Sequence, residues 1–177
     1  MRNILVIVDM QNDFIDGALG TAEAVAIVPK VAQKIRAFEG EVLFTQDTHG
    51  ENYLETQEGR LLPVPHCIRE SHGWQIERSI AEAGETCNGR TFEKPTFGSV
   101  ALAEYLLEEH RRTPIDTIEI CGLCTDICVV SNVLLLKAYL PETEIYADAS
   151  CCAGTTPENH RMALNTMKMC QILVKEA

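Results

Sequence analysis

The sequence predicts an α/β protein: a three-layer α/β/α sandwich with a mostly parallel, doubly wound central sheet. Short apolar runs rich in Val and Ile alternate along the chain with segments whose apolar residues recur at helical spacing. The first run, residues 4–8, is continuously apolar, which is typical of a strand buried on both faces. This alternation favours parallel strands joined by right-handed crossovers, with helices on both faces.

Each predicted element follows from a local pattern. After the first strand, residues 28–38 form a helical pattern, with Pro29 suited to its first turn and Gly40 just beyond its end. Ser99 is a candidate N-cap for a helix at 100–110. The other predicted strands are residues 41–46, 91–93, 117–121, 144–147 and 171–174, and the other predicted helices are residues 125–139 and 157–169.

Length and composition limit the class of protein. The chain has 177 residues, of which 46% are apolar and 23% charged, so we expect one globular domain over residues 1–177. The net charge of −11 would repel phosphate backbones and anionic lipids, which argues against nucleic acid or membrane as a partner. No apolar run approaches the roughly 18–20 residues that cross a bilayer.

The cellular setting follows from the N-terminus and the cysteines. The opening MRNILVIVDMQNDF is short, apolar and soon interrupted by Asp9, so we expect a strand rather than a signal peptide. Eight cysteines in a chain with enough Leu, Ile and Val for a core favour reduced thiols over disulfides. Both observations predict a cytoplasmic protein.

One irregular segment interrupts the alternation of strands and helices. Residues at about 47–90 are rich in Pro, Gly, His and Glu, and a connection this long is more often functional than idle. In parallel α/β sheets the site lies at the carboxyl ends of the strands. Polar groups that follow strands are therefore the candidates: Asp9, Asp47, His49, Lys94 and the segment 121–128.

The stretch ICGLCTDICVV holds three cysteines, and they differ in position. Cys121 ends an apolar strand and is best explained as core filler, the commonest role of a free cysteine. Cys121 and Cys124 also form a C-x-x-C, so a redox pair or half a zinc site stays open as an alternative. No second C-x-x-C or His pair follows at a suitable spacing, which weakens the zinc alternative.

Cys128 has the position of a nucleophile. Gly122 allows a sharp turn after the strand, and Thr125 or Asp126 can cap a helix whose first turn holds Cys128. A helix N-terminus lowers the pKa of a thiol and offers backbone N–H groups to an anion. Asp9 could accept the thiol proton and Lys94 could supply a neighbouring cation, although spacing alone does not prove that the three meet.

A second cluster has the composition of a metal site. In an extended TQDTHG segment, Asp47 and His49 point to the same side, and PVPHC supplies His66 later in the chain. One carboxylate and two imidazoles suit a divalent ion with positions left open for water and substrate. The alternative is a pair of loop histidines on a solvated surface.

Three motifs together resemble those of the isochorismatase-like cysteine hydrolases. They are IVDMQNDF with Asp9, FEKPTFGS with Lys94, and GLCTDICV with Cys128, in the order and at about the separations of that family. The resemblance covers nearly the whole chain and implies that these three residues are catalytic. It also implies a cis peptide bond between Leu123 and Cys124, and an oxyanion hole formed by the backbone N–H groups of Cys124 and Cys128.

The metal candidates resemble the nicotinamidase branch of the same family. Asp47, His49 and His66 match its pattern of D-x-H followed by H-C, and there the metal holds the pyridine nitrogen of the substrate. The resemblance implies one divalent ion, with zinc as the first choice and iron or manganese as alternatives.

The reaction that the resemblance implies is hydrolysis of nicotinamide to nicotinate and ammonia through a cysteine thioester. The alternatives are a family amidase for another small amide, carbamoyl or ureido substrate, and a non-catalytic relict. The resemblance also implies a small-molecule partner and a homo-oligomer, either a dimer or a tetramer.

The walls of the substrate pocket are predicted from apolar residues near the motifs. The candidates are Phe14, Trp74, Phe97 and Leu123, and for each aromatic residue a place in the core is the alternative. The sequence leaves open whether the loop residue His72 lies near the pocket. Other titratable groups are expected to have no part in the chemistry: the helix residues His110 and His160, and the carboxylates Glu51, Glu55 and Glu58, which should form a solvated face.

Overall fold

Six parallel strands form one central sheet in the order β3-β2-β1-β4-β5-β6. The structure is a computed structural model that describes residues 1–176. All five strand pairings are parallel, so the predicted sheet is confirmed in its stricter, all-parallel form. The strands are β1 (Asn3–Val8), β2 (Glu41–Asp47), β3 (Arg90–Lys94), β4 (Thr117–Leu123), β5 (Glu144–Ala153) and β6 (Leu173–Lys175).

Helices cover the sheet and complete the predicted three-layer sandwich. The helices α2 and α4 pack against each other, and α2 also packs on β4 and β5, whereas α5, α6 and α7 pack together in the other layer. The helices are α1 (Asn12–Ile15), α2 (Ala22–Ala37), α3 (Gln57–Leu61), α4 (Arg78–Glu85), α5 (Val100–Arg112), α6 (Val130–Tyr139) and α7 (Pro157–Met169). A 3-10 turn spans Tyr53–Glu55 and a π-helical turn spans Thr125–Val129.

The prediction that Pro29 lies in a first helical turn is wrong. Helix α2 begins at Ala22, where the Thr21 hydroxyl accepts a hydrogen bond from the Ala24 N–H at 3.0 Å. Pro29 therefore lies in the helix interior, but on its exposed side. Proline has no N–H group, so the carbonyl of Val25 lacks its helical hydrogen bond. Val25 is exposed, and water can hydrate this carbonyl.

The segment at about 47–90 is more regular than its composition predicts. It contains the 3-10 turn, α3 and α4, each too short to give a clear periodicity. Glu77 caps α4 through its carboxylate, which accepts the N–H groups of Ser79 and Ile80. The segment therefore folds as short helices, of which α3 and α4 have side-chain caps.

The central strand β1 confirms the expectation of burial on both faces. Every side chain from Ile4 to Val8 has an exposed fraction of 0%. The chain leaves β1 toward β2 on one side and the strand order reverses toward β4 on the other. Such a switch point opens a crevice at the carboxyl ends of the strands, and Asp9 is the first residue beyond β1.

Candidate active site

Asp9 is held rigidly at the end of β1. Its backbone has a φ of +47°, an uncommon value for a residue other than glycine, and its N–H donates to the Thr45 carbonyl on β2 at 3.3 Å. The Thr45 hydroxyl donates to Asp9 Oδ1 at 2.7 Å. Asp9 Oδ2 is buried, and within residues 1–176 its close polar contact is the ion pair with Lys94.

Lys94 reaches this carboxylate from the end of β3. In the parallel register Asp47 lies opposite Lys94, so both side chains emerge at the same edge of the sheet. Lys94 Nζ lies 2.7 Å from Asp9 Oδ2, 3.3 Å from Asp47 Oδ1 and 3.5 Å from Cys128 Sγ. Burial disfavours the ammonium, but the Asp9 carboxylate, the Cys128 sulfur and the Asp47 carboxylate together outweigh it and raise the pKa of Lys94.

Two opposing effects act on Asp9, and burial is the stronger. Burial raises the pKa of the Asp9 carboxyl, whereas the charge of Lys94 lowers it, and the net shift is upward. A carboxylate with a raised pKa is a better proton acceptor than an ordinary aspartate. The sequence predicts both effects but not their balance, because the balance depends on how completely the carboxylate is enclosed.

The turn after β4 presents Cys128. Gly122 has a φ of +123°, and a Cβ atom there would lie 2.1 Å from the Val8 carbonyl oxygen, so glycine is required where β4 passes β1. The peptide bond between Leu123 and Cys124 is cis, as expected. The Val129 N–H then donates to the Cys124 carbonyl at 3.1 Å and closes the first wide turn.

The predicted cap of this turn by Thr125 or Asp126 is wrong. The N-cap position is Cys124, with no side-chain cap. Thr125 instead hydrogen-bonds to His160, and Asp126 accepts from Thr155, because both side chains point toward α7. The π-helical turn, which sequence periodicity does not reveal, places these two side chains on the side of the turn that faces α7.

The three cysteines of the segment have separate environments. Cys121 is fully buried within β4, as a filler residue would be. Cys124 and Cys128 border a cleft that His49 and His66 also line. Burial, followed by the charge of Asp9, raises the pKa of the Cys128 thiol, while Lys94 opposes that rise. The thiol therefore needs a proton acceptor at the moment of reaction, and Asp9 is the carboxylate beside it.

Asp47, His49 and His66 converge, and the structure shows a possible metal site. One donor atom of each residue lies within 4.8 Å of the others, and all three side chains are buried. The Nδ1 atom of His66 donates to the Val64 carbonyl at 2.9 Å, because a carbonyl oxygen can only accept. The Nε2 atom of His66 is thus left as an acceptor, 3.6 Å from Asp47 Oδ2, which is the arrangement of a metal-binding imidazole.

Glu58 is a candidate fourth ligand that the sequence did not reveal. Its Oε1 atom lies 3.7 Å from His49 Nε2 and 3.6 Å from His66 Nε2. The expectation of a solvated face is thus wrong for Glu58, although it holds for Glu51 and Glu55, which are exposed. The Thr56 hydroxyl accepts the Gly59 N–H and starts α3, which turns Glu58 inward, and no residue pattern in the segment indicates this orientation.

Two further residues of the first motif hold the metal ligands in place. The Gln11 side chain donates to the Asp47 carbonyl at 2.8 Å and accepts the Asp47 N–H at 2.7 Å. Asp13 accepts the Cys67 N–H at 2.7 Å and so anchors the backbone next to His66. Both lie in DMQNDF, the motif from which the sequence predicts roles for Asp9 and Phe14. No pattern in this motif indicates the supporting contacts of Gln11 and Asp13.

A cleft of about 730 Å³ joins the metal candidates to Cys128. Phe14 and Phe97, two of the candidates for the substrate pocket, line it. Trp74 and Leu123 are not among the residues that line it in the described part of the chain. Trp74 packs against the core and donates its indole N–H to the Thr48 hydroxyl, and Leu123 is fully buried within β4.

The comparisons with known proteins agree with this fold. The Isochorismatase domain family matches residues 3–176. A relative from Bacillus subtilis (strain 168), described as "Uncharacterized isochorismatase family protein PncA", is 26% identical over an alignment of 175 residues, and the match covers 93% of this chain and 93% of the relative.

Solved structures extend the likeness to nicotinamidases. The crystal structure of nicotinamidase/pyrazinamidase PncA from Bacillus subtilis matches with a TM-score of 0.84 and 28% identity, over 99% of this chain and 100% of that one. The crystal structure of pyrazinamidase of Pyrococcus horikoshii in complex with zinc matches with a TM-score of 0.81 and 26% identity, over 100% of both chains.

An all-parallel α/β sandwich with a buried Asp, Lys and Cys beside an Asp–His–His cluster defines a hydrolase of the nicotinamidase-like type. The chain belongs to the isochorismatase family, which confirms the resemblance drawn from its three motifs. None of the helices within residues 1–176 is long and apolar enough to span a membrane.

Proposed function

We propose that the protein hydrolyses a small aromatic carboxamide, nicotinamide first, to the carboxylic acid and ammonia through a thioester on Cys128. One observation carries the proposal: Lys94 Nζ contacts Asp9, Cys128 and Asp47 at once, within 3.5 Å. The nucleophile and the metal ligands therefore share one cleft and can act on one small substrate. The solved nicotinamidases with a similar fold support the choice of substrate.

The proton path starts at the thiol of Cys128. Asp9 takes the thiol proton on Oδ2, and Lys94 stabilises the resulting thiolate. The sulfur attacks the amide carbon, and the negative charge moves onto the carbonyl oxygen. The backbone N–H groups of Cys124 and Cys128 would hold that oxyanion, since the Cys124 N–H donates no hydrogen bond to residues 1–176.

Collapse of this intermediate breaks the C–N bond. Asp9 returns its proton to the nitrogen, which leaves as ammonia, and the acyl group stays on Cys128 as a thioester. Asp9 then accepts a proton from a water molecule, whose oxygen attacks the thioester carbon. The acid leaves, and Cys128 regains its proton from Asp9, so the enzyme is unchanged at the end of the cycle.

The donor set of Asp47, His49, His66 and Glu58 fits a divalent ion, for which zinc is our first choice. When bound, the ion would supply a Lewis-acidic position for the ring nitrogen of the substrate. The chain itself would orient the ring, since Phe14 lies beside His66 with ring centroids 5.4 Å apart. The amide group would then face Cys128 at the other end of the cleft.

The test is ammonia release from nicotinamide, measured with and without a chelator, for wild type, Cys128→Ala and Cys121→Ala. We expect wild type and Cys121→Ala to release ammonia, Cys128→Ala to release none, and the chelator to reduce the rate. A panel of other amides, carbamoyl and ureido compounds runs beside it. Turnover of one of these compounds but not of nicotinamide would overturn the choice of substrate, and turnover by Cys128→Ala would overturn the mechanism.

Three finer expectations belong to the same proposal. Zinc as the metal is tested by elemental analysis of the purified protein. A homo-oligomer is tested by light scattering during gel filtration. A cytoplasmic location is tested by cell fractionation.

A further inference from the structure

A hydrogen bond behind the nucleophile turn has no part in the chemistry proposed above. His160 Nδ1, in the first turns of α7, lies 2.8 Å from Thr125 Oγ1. Thr125 is fully buried and begins the π-helical turn that carries Cys128. Within residues 1–176 this is the one hydrogen bond of the Thr125 hydroxyl, so the hydroxyl depends on His160 for its partner.

A second contact fixes α7 against the same turn. Asp126 accepts the Thr155 N–H at 2.8 Å and the Thr155 hydroxyl at 2.6 Å. Gly154 permits this close approach, because a Cβ atom there would lie 2.8 Å from the backbone nitrogen of His160 and 2.9 Å from Asp126 Oδ1. The start of α7 and the turn therefore pack as one unit, with His160 on its inner side.

The opposite side of the turn faces the reaction. Cys124 and Cys128 border the cleft, whereas Thr125 and His160 are not among its lining residues in the described chain. Burial lowers the pKa of His160 and so favours the neutral imidazole, whose Nδ1 can accept a hydrogen bond from the Thr125 hydroxyl. The contact therefore lies outside the cleft lining, on the side of the turn away from Cys128.

We propose that His160 is a positioning residue for the hydrolysis, which holds the nucleophile turn in register through Thr125. The inference rests on the proposed function, because it assigns His160 an effect on that reaction. The two oxyanion donors and the thiol all belong to residues 124–128, so a rotation of the turn would displace all three together. A displacement of about 1 Å in such a group can reduce a rate about 100-fold.

The test compares variants that remove the hydrogen bond with variants that keep it. His160→Leu and Thr125→Val each remove one partner at similar volume, and each should lower kcat about 10- to 100-fold with little change in KM. The double variant should lose no more than either single one, because the same bond is absent in all three. His160→Asn and Thr125→Ser keep a polar group near the same place and should recover most of the loss.

His110 provides the matched control. It is a half-buried helix histidine whose Nδ1 accepts one hydrogen bond, from the Ile115 N–H at 3.2 Å, and it lies outside the cleft lining. His110→Leu should alter stability but not kcat. If His160→Leu keeps the wild-type kcat, or if it loses kcat only in step with thermal stability as His110→Leu does, the proposal is overturned.

A second measurement separates this proposal from the proposed function. The rate at which iodoacetamide alkylates Cys128, followed by mass spectrometry, needs no substrate and still depends on how the turn presents the thiol. We expect the rate to change in His160→Leu and Thr125→Val and to recover in His160→Asn. If wild type hydrolyses no amide, the proposed function fails, and an unchanged alkylation rate would then overturn the role of His160 as well.

Discussion

Asp9 Oδ2 and Lys94 Nζ lie 2.7 Å apart, and solvent reaches neither side chain appreciably. A buried ion pair gains little over an apolar pair, but removal of one partner leaves an uncompensated charge. We therefore expect the same contact to have a structural effect and, under the proposed function, a catalytic one, and the two can be measured separately.

Lys94→Met should destabilise the protein by about 3–5 kcal/mol, because Asp9 would keep only the hydrogen bond from Thr45. Asp9→Asn should cost less, because Lys94 would still contact Asp47. The double variant should be more stable than Lys94→Met alone. Urea unfolding of the metal-free proteins measures these differences in stability. A double variant less stable than Lys94→Met would contradict a buried ion pair between Asp9 and Lys94. None of the three variants should turn over substrate.

Cys128→Ser should lower kcat by at least about 10³-fold, because a hydroxyl is far less acidic than a thiol and Asp9 is a weak base. Cys124→Ala should retain substantial activity, since the proposal uses only its backbone N–H. The measurement is steady-state ammonia release for the two variants. Cys124→Ala with as large a loss as Cys128→Ser would show that the Cys124 sulfur takes part in the reaction.

Glu58→Gln should weaken metal binding by about 10- to 100-fold, because Oε1 lies near both imidazole nitrogens of the site. Glu55→Gln is the matched control, as Glu55 is exposed in the same short segment. Competition against a chromogenic chelator gives both affinities. Equal affinities for the two variants would place Glu58 outside the ligand set.

Asp148 should make stability depend on pH in the acid range. Burial raises its pKa, but hydrogen bonds from Lys34 and Ser150 outweigh burial and hold the pKa below its ordinary value. The stabilisation is therefore complete above the unfolded pKa of about 3.9 and is lost as the pH falls through the lower folded value. The difference in urea midpoint between wild type and Asp148→Asn should be constant from pH 5 to 7 and shrink below about pH 4. A difference that grows on acidification would contradict the sign.

Local sequence patterns predict a structural element correctly where a residue type has one common structural role. The run of β-branched residues in β1, the cap at Ser99 and the helix Pro157–Met169 follow from local rules, and the structure has them as predicted. The strand-end rule also brought Asp9, Asp47 and Lys94 to one edge, because parallel strands place their carboxyl ends together.

The remaining features depend on distant contacts that a single sequence does not encode locally. Glu58 faces the metal candidates because α3 begins at Thr56 and turns it inward, whereas Glu55 in similar surroundings faces solvent. Trp74 packs against the core and outside the cleft lining, where the Thr48 hydroxyl accepts its indole N–H. Thr125 looked like a helix cap because the partner it actually uses, His160, is 35 residues away.

Lys94 is the last residue of an edge strand, although it lies at the centre of the proposed reaction. β3 is five residues long, and within residues 1–176 it pairs only with β2. Each of the four interior strands pairs with two neighbours, so β3 has fewer backbone hydrogen bonds to the sheet. Edge segments of this kind open locally at a smaller free-energy cost than the whole domain. Local opening of β3 would withdraw Lys94 from Asp9 and Cys128 while β1 and β4 remain intact, so we expect the proposed activity to be lost before the chain unfolds as a whole.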